Sequence, residues 1–398
     1  MATRFVTNLS TLNAAIAASV GGDIISMAGG NYGTLVSSKV FSSQVIVKST
    51  SPVDPAIFTY IGLGSAVYWS IEDVKFSAPY YATPSSSSAT CEIYSNSANI
   101  AIRRCEFVGQ NTAAGYGTGR AITILQANLI TVEDCYIHRF LNGIVSSVAT
   151  SLIFRSNEIT DIGSDGIDMY TVTGALVDGN YIHDFRADYS SGAHCDAIQW
   201  ATGFSGLTTT GNITITNNIV RIGNGSWIQN IFSNNEAYDG TNYWRYQGMV
   251  IENNFIEGFM TWGIGLSYSG AATIRNNTLV WKYFSLSDPY NNQTSIDDPG
   301  NFGPTATFAI PKLFVVDANA PCVITNNDFY GAPFSSANRL ILQASEASLI
   351  SAGWTISGND LFKDNVGPTP PPFVTNFGGA VAPMVTFGPD AVVARGGY

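Results

Sequence analysis

Ionisable side chains are scarce in this chain, so the places where they gather carry information. The 398 residues hold 18 Lys+Arg against 29 Asp+Glu, a formal net charge of −11, and three histidines. All three, His138, His183 and His194, fall within one 57-residue window. His183 opens a run, His183-Asp184-Phe185-Arg186, that leads through an insertion to His194-Cys195-Asp196-Ala197-Ile198-Gln199-Trp200. Just upstream, Gly166-Ile167-Asp168-Met169-Tyr170 adds an acid and a phenol. Carboxylates, imidazoles, a guanidinium and aromatic rings together suit general acid–base chemistry on a hydrogen-bonding ligand. Asp168, His183, His194, Asp196 and Tyr170 are the candidate catalytic residues. Gln199, Gln229, Arg186, Trp200, Trp244 and His138 are the candidate ligand-binding residues.

Other chemistries find less support. Zinc would need spacings such as H-E-x-x-H or C-x-x-C, which are missing. Cys195 beside His194 makes a poor nucleophile pair, because adjacent strand residues point to opposite faces. No cofactor is expected. The one metal these residues could take is calcium, at Asp165, Asp168 and Asp196, and oxygen ligands alone are a loose signal. Lys and Arg are too few and too scattered to hold a nucleic acid.

What positions these residues is a repeat. A β-rich triplet, two polar or small residues and an apolar residue recur with key positions Val74, Cys105, Cys135, Asn157, Asn180, Asn218, Asn254, Asn277, Asn327 and Asn359. Their spacings are 31, 30, 22, 23, 38, 36, 23, 50 and 32, a floor of 22 to 23 with insertions. Segments rich in Ile, Val, Thr and Phe with period-2 alternation read as strands, and the Gly and Asn between them read as turns. Three short strands per coil of about 22 residues describe an all-β, right-handed parallel β-helix, here of about ten to twelve coils. The stacked Asn side chains are expected to form a hydrogen-bonded ladder. Cys105 and Cys135 share that column and are read as stacked thiols, with a disulfide not excluded by the strand spacing.

Other columns follow from the same alignment. His138 and His183 lie three residues after their key positions, two coils and on the order of 10 Å apart, with Thr160 between them. If Ile137 and Ile182 face the core, this column faces solvent. A second register places Ile122, Ile144, Ile167, Ile198, Ile228 and Ile264 inward, so that Asp168, Gln199 and Gln229 point outward in successive coils. The aromatic insertions, with Trp200 and Trp244, could wall one groove.

The ends read as caps. Residues 1–22 include a short helix over Ser10 to Ala18 with an N-capping hydroxyl, and the first strand follows at Gly22 to Met27. The β-helix spans 23–366, with insertions near 185–195, 230–245 and 283–320, and residues 367–398 form a Pro/Gly-rich tail. No run of eighteen apolar residues reads as a membrane span. The N-terminus has no basic segment leading into a sustained apolar run, so no classical signal peptide is expected.

The opening, Leu12-Asn13-Ala14-Ala15-Ile16, Gly22-Asp23-Ile24-Ile25 and Gly29-Gly30-Asn31-Tyr32-Gly33, resembles the capped first coil of right-handed β-helix polysaccharide-active proteins. These include the chondroitinase B and alginate lyase group, the mannuronan C5-epimerases and bacteriophage tailspikes. With the repeats, the resemblance covers most of the chain at the level of fold. The Lys of the Lys and Arg pair used by chondroitinase-B-like lyases has no match in the middle coils, the nearest being Lys75 and Lys282. The short Asp-Pro-His motif of the epimerases begins at Asp168 but lacks its Pro-His. What the resemblance implies is a polysaccharide ligand and, for a tailspike, a homotrimer. The expectation is a virion tailspike-type protein, virion-borne or extracellular, that binds and in an enzymatic form depolymerises a host-surface polysaccharide, with other virion tail proteins as further partners. The alternatives are a free extracellular lyase or uronate C5-epimerase, and a non-catalytic carbohydrate-binding β-helix.

Overall fold

The computed structural model describes residues 1–78, 88–111, 117–187, 195–201, 211–223, 225–226, 228–233, 245–258, 262–267, 269–281, 312–330 and 340–363. His194, Trp244, most of the three insertions and the tail 367–398 lie outside the described residues.

One coil illustrates the rest. Asn128–Glu133 runs along the first face, Tyr136–His138 along the second and Asn142–Ser147 along the third, and Thr150–Arg155 then returns to pair with Asn128–Glu133. Ile130 stands opposite Leu152 and Val132 opposite Phe154, an offset of 22 residues. Among the described residues the strands pair in parallel, as in Asn142–Ser147 against Ile167–Tyr170. The first face is a 13-stranded sheet among the described residues. Four of its strands, Thr3–Val6, Ile24–Met27, Val40–Ser49 and Val67–Glu72, precede the first key position. The other two faces merge through the long strand Ala56–Gly64, which pairs with both Lys75–Ser77 and Ala89–Tyr94. The expected parallel β-helix is therefore the observed architecture.

The interior is a set of side-chain columns. Phe76, Phe107, Ile137, Ile159, Ile182, Val220, Ile256 and Leu279 follow one another inside the second face, all fully buried. Phe76 and Phe107 stack with centroids 4.2 Å apart. Each such side chain contributes on the order of 1.5–3 kcal/mol through burial. Coils approach closely at the start of the third face. A Cβ on Gly143 would lie 2.4 Å from the Gly166 carbonyl oxygen, and one on Gly166 would lie 2.6 Å from that of Ala197.

The corner between the first and second faces explains the recurring asparagine. The residue before each key position is left-handed: Asp73, Arg104, Asp134, Ser156, Asn217, Asn253, Asn276 and Asn326 have φ of 51–57°. That conformation costs a non-Gly residue on the order of 1 kcal/mol, and the next side chain stabilises it. Asn157 Nδ2 donates to Asn180 Oδ1 at 2.9 Å, Asn180 to Asn218 at 2.9 Å, and Asn218 to Asn254 at 3.0 Å. The chain continues through Asn277 and Asn327 to Asn359, each step 2.9 Å. Each Oδ1 also accepts the backbone N–H of the preceding rung, as Asn218 Oδ1 does from Asn180 N at 2.9 Å. The expected ladder is present in full. Cys135 and Cys105 sit above it as buried free thiols, and Cys135 N donates to Asn157 Oδ1 at 3.0 Å.

A second ladder was not anticipated. Lys48, Glu72, Arg103, Glu133, Arg155 and Asp178 stand directly opposite one another at the ends of first-face strands, alternating in sign. Arg103 bonds Glu133, and Arg155 bonds Asp178 at 3.1 Å. Directly opposed unlike charges favour this register over a slipped one.

The N-terminal cap differs in detail from the reading above. The helix is Leu9–Ala18, and its cap is the amide of Asn8, which accepts from Thr11 N at 3.0 Å within a capping box. The sheet also begins before the helix, because Thr3–Val6 pairs in parallel with Ile24–Met27.

Asn218→Ala removes an interior rung and leaves buried donors without acceptors, so it should destabilise the fold by about 3 kcal/mol. Asn359→Ala, at the half-buried end of the ladder, should cost about 1 kcal/mol. Urea unfolding of both variants checks the difference, and equal losses would show that the rungs do not cooperate.

Candidate active site

Two groups of polar side chains lie on the outside of the β-helix, on different faces. The second face carries His138, Thr160 and His183 in one column, in the predicted register. The expected exposure is absent: His138 is 7% exposed and His183 9%. Outward direction is not exposure here, because the tyrosine two residues earlier on each strand lies over the imidazole. Tyr136 stacks on His138 at 4.4 Å and Tyr181 on His183 at 3.9 Å.

Each histidine also meets an acid from a neighbouring coil, by the same diagonal step. His138 Nε2 lies 3.4 Å from Glu106, which bonds Lys75 at 2.9 Å. His183 Nε2 lies 3.4 Å from Glu158, while its Nδ1 lies 2.6 Å from Asp184. Arg221, next in the column, instead bonds the directly opposite Glu257 at 3.0 Å. Burial alone would lower the His183 pKa, but the Asp184 and Glu158 carboxylates outweigh it and hold the imidazolium up to about 9. Burial raises the Glu106 carboxyl, yet His138 and Lys75 keep it below its ordinary value. The repeated diagonal contact ties neighbouring coils together, and for His183 an imidazole held up to about 9 is a poor base near neutrality. His138 and His183 thus lie on the second face, apart from the aspartates of the third. Arg186 is held by Asp161 at 3.0 Å.

The third face carries the other group. Arg120, Asn142, Asp165, Asp196 and Gln229 each stand two residues before an inward isoleucine at the start of their strand or the turn leading into it. Asp165 Oδ2 accepts from Asn142 Nδ2 at 3.0 Å and from Ser164 Oγ at 3.1 Å, and its Oδ1 accepts from Asp196 N at 3.1 Å. One strand position beyond the isoleucine, Asp168 stands opposite Gln199. Asp168 is only 3% exposed, and Tyr170 is half-buried at the strand end. Burial, reinforced by the charges of Asp168 and Asp196, pushes the Asp165 carboxyl well above its ordinary value. Burial lowers the Arg120 guanidinium, with the fields of Asp168, Tyr170, Asp165 and Glu92 opposing it. Its buried Nε has no hydrogen-bond partner among the described residues.

Asp168, Asp196 and Tyr170 are thus brought to one face with Gln199. Two other expectations are corrected. Gln229 pairs with Asp196, not Gln199, because the inward residue of its strand is Ile231 and not Ile228. The insertion shifted the alignment by three residues, and Phe232 takes the place opposite Gln199. Trp200 is 0% exposed and points into the core, opposite Met169 and Ser233 and edge-on to Tyr246 at 6.1 Å, so it offers no surface for a ligand. Sequence reasoning missed Arg120 and Asn142. The signal was present, since each directly precedes the small residue, Ala121 or Gly143, that marks the second register. Among the described residues no three His, Cys, Asp or Glu groups are arranged to hold a metal ion.

His183 yields a prediction with a definite sign. Its folded pKa, about 9, lies above its unfolded value near 6.5. The stability it contributes is fully present below about pH 6.5 and is lost as pH rises through about 9. The urea midpoint of the native chain should exceed that of His183→Gln most at about pH 6, and the gap should shrink by about pH 10. A constant gap would show a neutral imidazole.

Comparison with known proteins bears on the fold. Residues 120–226 match the family described as "Right handed beta helix region". Among solved structures, the alginate lyase AlyGC of family PL6 is 13% identical, with a TM-score of 0.53. The match covers 92% of this chain and 52% of that one, so this chain spans about half the length of that lyase. The GH136 lacto-N-biosidase from Eubacterium ramulus is 10% identical, with a TM-score of 0.51 over 92% of this chain and 68% of that one. No curated protein matches the sequence. These likenesses show that the chain folds as a right-handed parallel β-helix.

Proposed function

We propose that this protein binds a polysaccharide across the third face of its middle coils and hydrolyses a glycosidic bond there. The observation that carries the reading is the trio Asp165, Asp168 and Asp196, brought together on adjacent coils, where burial and mutual repulsion push the Asp165 carboxyl well above its ordinary value. Carboxyl groups whose environments push their pKa values apart are how one site supplies both an acid and a base. In the proposed step Asp165 gives its proton to the bridging oxygen as the bond to the anomeric carbon breaks, and the bond's electron pair stays on that oxygen. Asp168 takes a proton from the water whose oxygen joins the anomeric carbon. Arg120 acts as a positioning residue, its guanidinium held in the field of Asp168. Gln199, opposite Asp168, offers a donor and an acceptor to sugar hydroxyls. The fold supports the reading, because an alginate lyase and a lacto-N-biosidase share it.

The finer form of the proposal is a virion tailspike-type protein acting as a homotrimer on a host-surface polysaccharide. It rests on the resemblance of the first coil and on the low charge of the chain. Light scattering should return the mass of three chains, and a stable monomer would count against it.

Activity is tested by release of reducing ends from a panel of polysaccharides. Asp165→Asn and Asp168→Asn should each lower kcat by about 100-fold or more, and His138→Gln should leave it unchanged. Full activity in both aspartate variants would remove this site.

A further inference from the structure

Eight described cations of this chain are committed to its own acids. Arg4, Lys75, Arg103, Arg104, Arg155, Arg186, Arg221 and Arg275 each bond a carboxylate. The outward column of the third face reads Glu92, Thr123, Val145, Asp168, Gln199 and Phe232, and contains no cation. Beside it stands one guanidinium, Arg120, whose field is already shared by Asp165, Asp168 and Glu92. A polymer with a carboxylate or sulfate on every unit would meet this face charge against charge. It would also approach a chain of formal net charge −11, and like charge slows encounter and costs affinity. Elimination from a uronate would further require a cation to neutralise the sugar carboxylate, and the one arginine here already faces Asp165, Asp168 and Glu92.

We infer that the glycan this protein takes is uncharged along its length: a neutral or N-acetylated polysaccharide, not a uronate or sulfated polymer. The inference rests on the reading of the third face as the glycan site and names its substrate class. Hydroxyl and acetamido groups supply donors to Asp168 and the acceptors that Gln199 and Arg120 meet.

The test uses the full chain and its Asp168→Asn variant on arrays of neutral, N-acetylated, uronate and sulfated glycans. Salt is varied from about 10 mM to about 1 M, which shortens the screening length from about 30 Å to about 3 Å. Binding confined to neutral or N-acetylated glycans, changing less than about two-fold across that range, is the expected result. Retention of uronate or sulfated polymers that weakens steeply with salt would overturn it. Cleavage separates this inference from the proposed activity. New reducing ends from a neutral glycan support both. Saturated ends from a uronate polymer overturn the substrate class and leave hydrolysis standing. An unsaturated uronate product overturns both. Neutral-glycan binding without cleavage supports the substrate class and removes the catalytic reading.

Discussion

The corner between the first and second faces is a two-residue turn, and its amide ladder is the interaction on which the rest of the structure depends. A left-handed residue turns the chain sharply enough to start a new strand. The asparagine after it binds the same turn one coil away through both backbone and side chain. Because each rung satisfies the next, the rise per coil and the register of all three faces are set together. Columns of isoleucine and phenylalanine then stack inside by necessity. A slip of one residue would break the ladder and turn every core side chain outward.

Charge is used sparingly and mostly for the same purpose. The alternating column on the first face and the diagonal pairs on the second face hold neighbouring coils in register, one by direct opposition and the other by a step of two residues. Both sets are largely self-compensating. The third face departs from this pattern. Asp165, Asp168 and Asp196 lie together there, and burial with the charges of the other two pushes the Asp165 carboxyl well above its ordinary value. A charge arrangement that does not help the fold is where function is to be sought.

Much of this was legible in the residues themselves. The key positions, the ladder, the shared column of His138 and His183 and the outward pair Asp168 and Gln199 all follow from spacing, because a coil of constant length turns sequence offset into spatial alignment. The errors arose where that constancy fails or where direction was taken for exposure. Extra residues before Gln229 moved it three places, to stand opposite Asp196. The histidines do point outward, but stacked tyrosines bury them. Trp200 looked like a stacking platform only because tryptophan is common in such platforms. Its place opposite Met169 puts it in the core.

By itself, then, the sequence determined the architecture, since repeat length, strand alternation and left-handed turn residues are local properties that each coil expresses alone. Which charged groups are neighbours was decided by tertiary structure. Arg120 and Asp165 are 45 residues apart in the chain, and only stacking brings their fields together. The raised Asp165 carboxyl and the Glu158 contact of His183 come from burial and from partners on other coils, and neither exists until those coils are stacked.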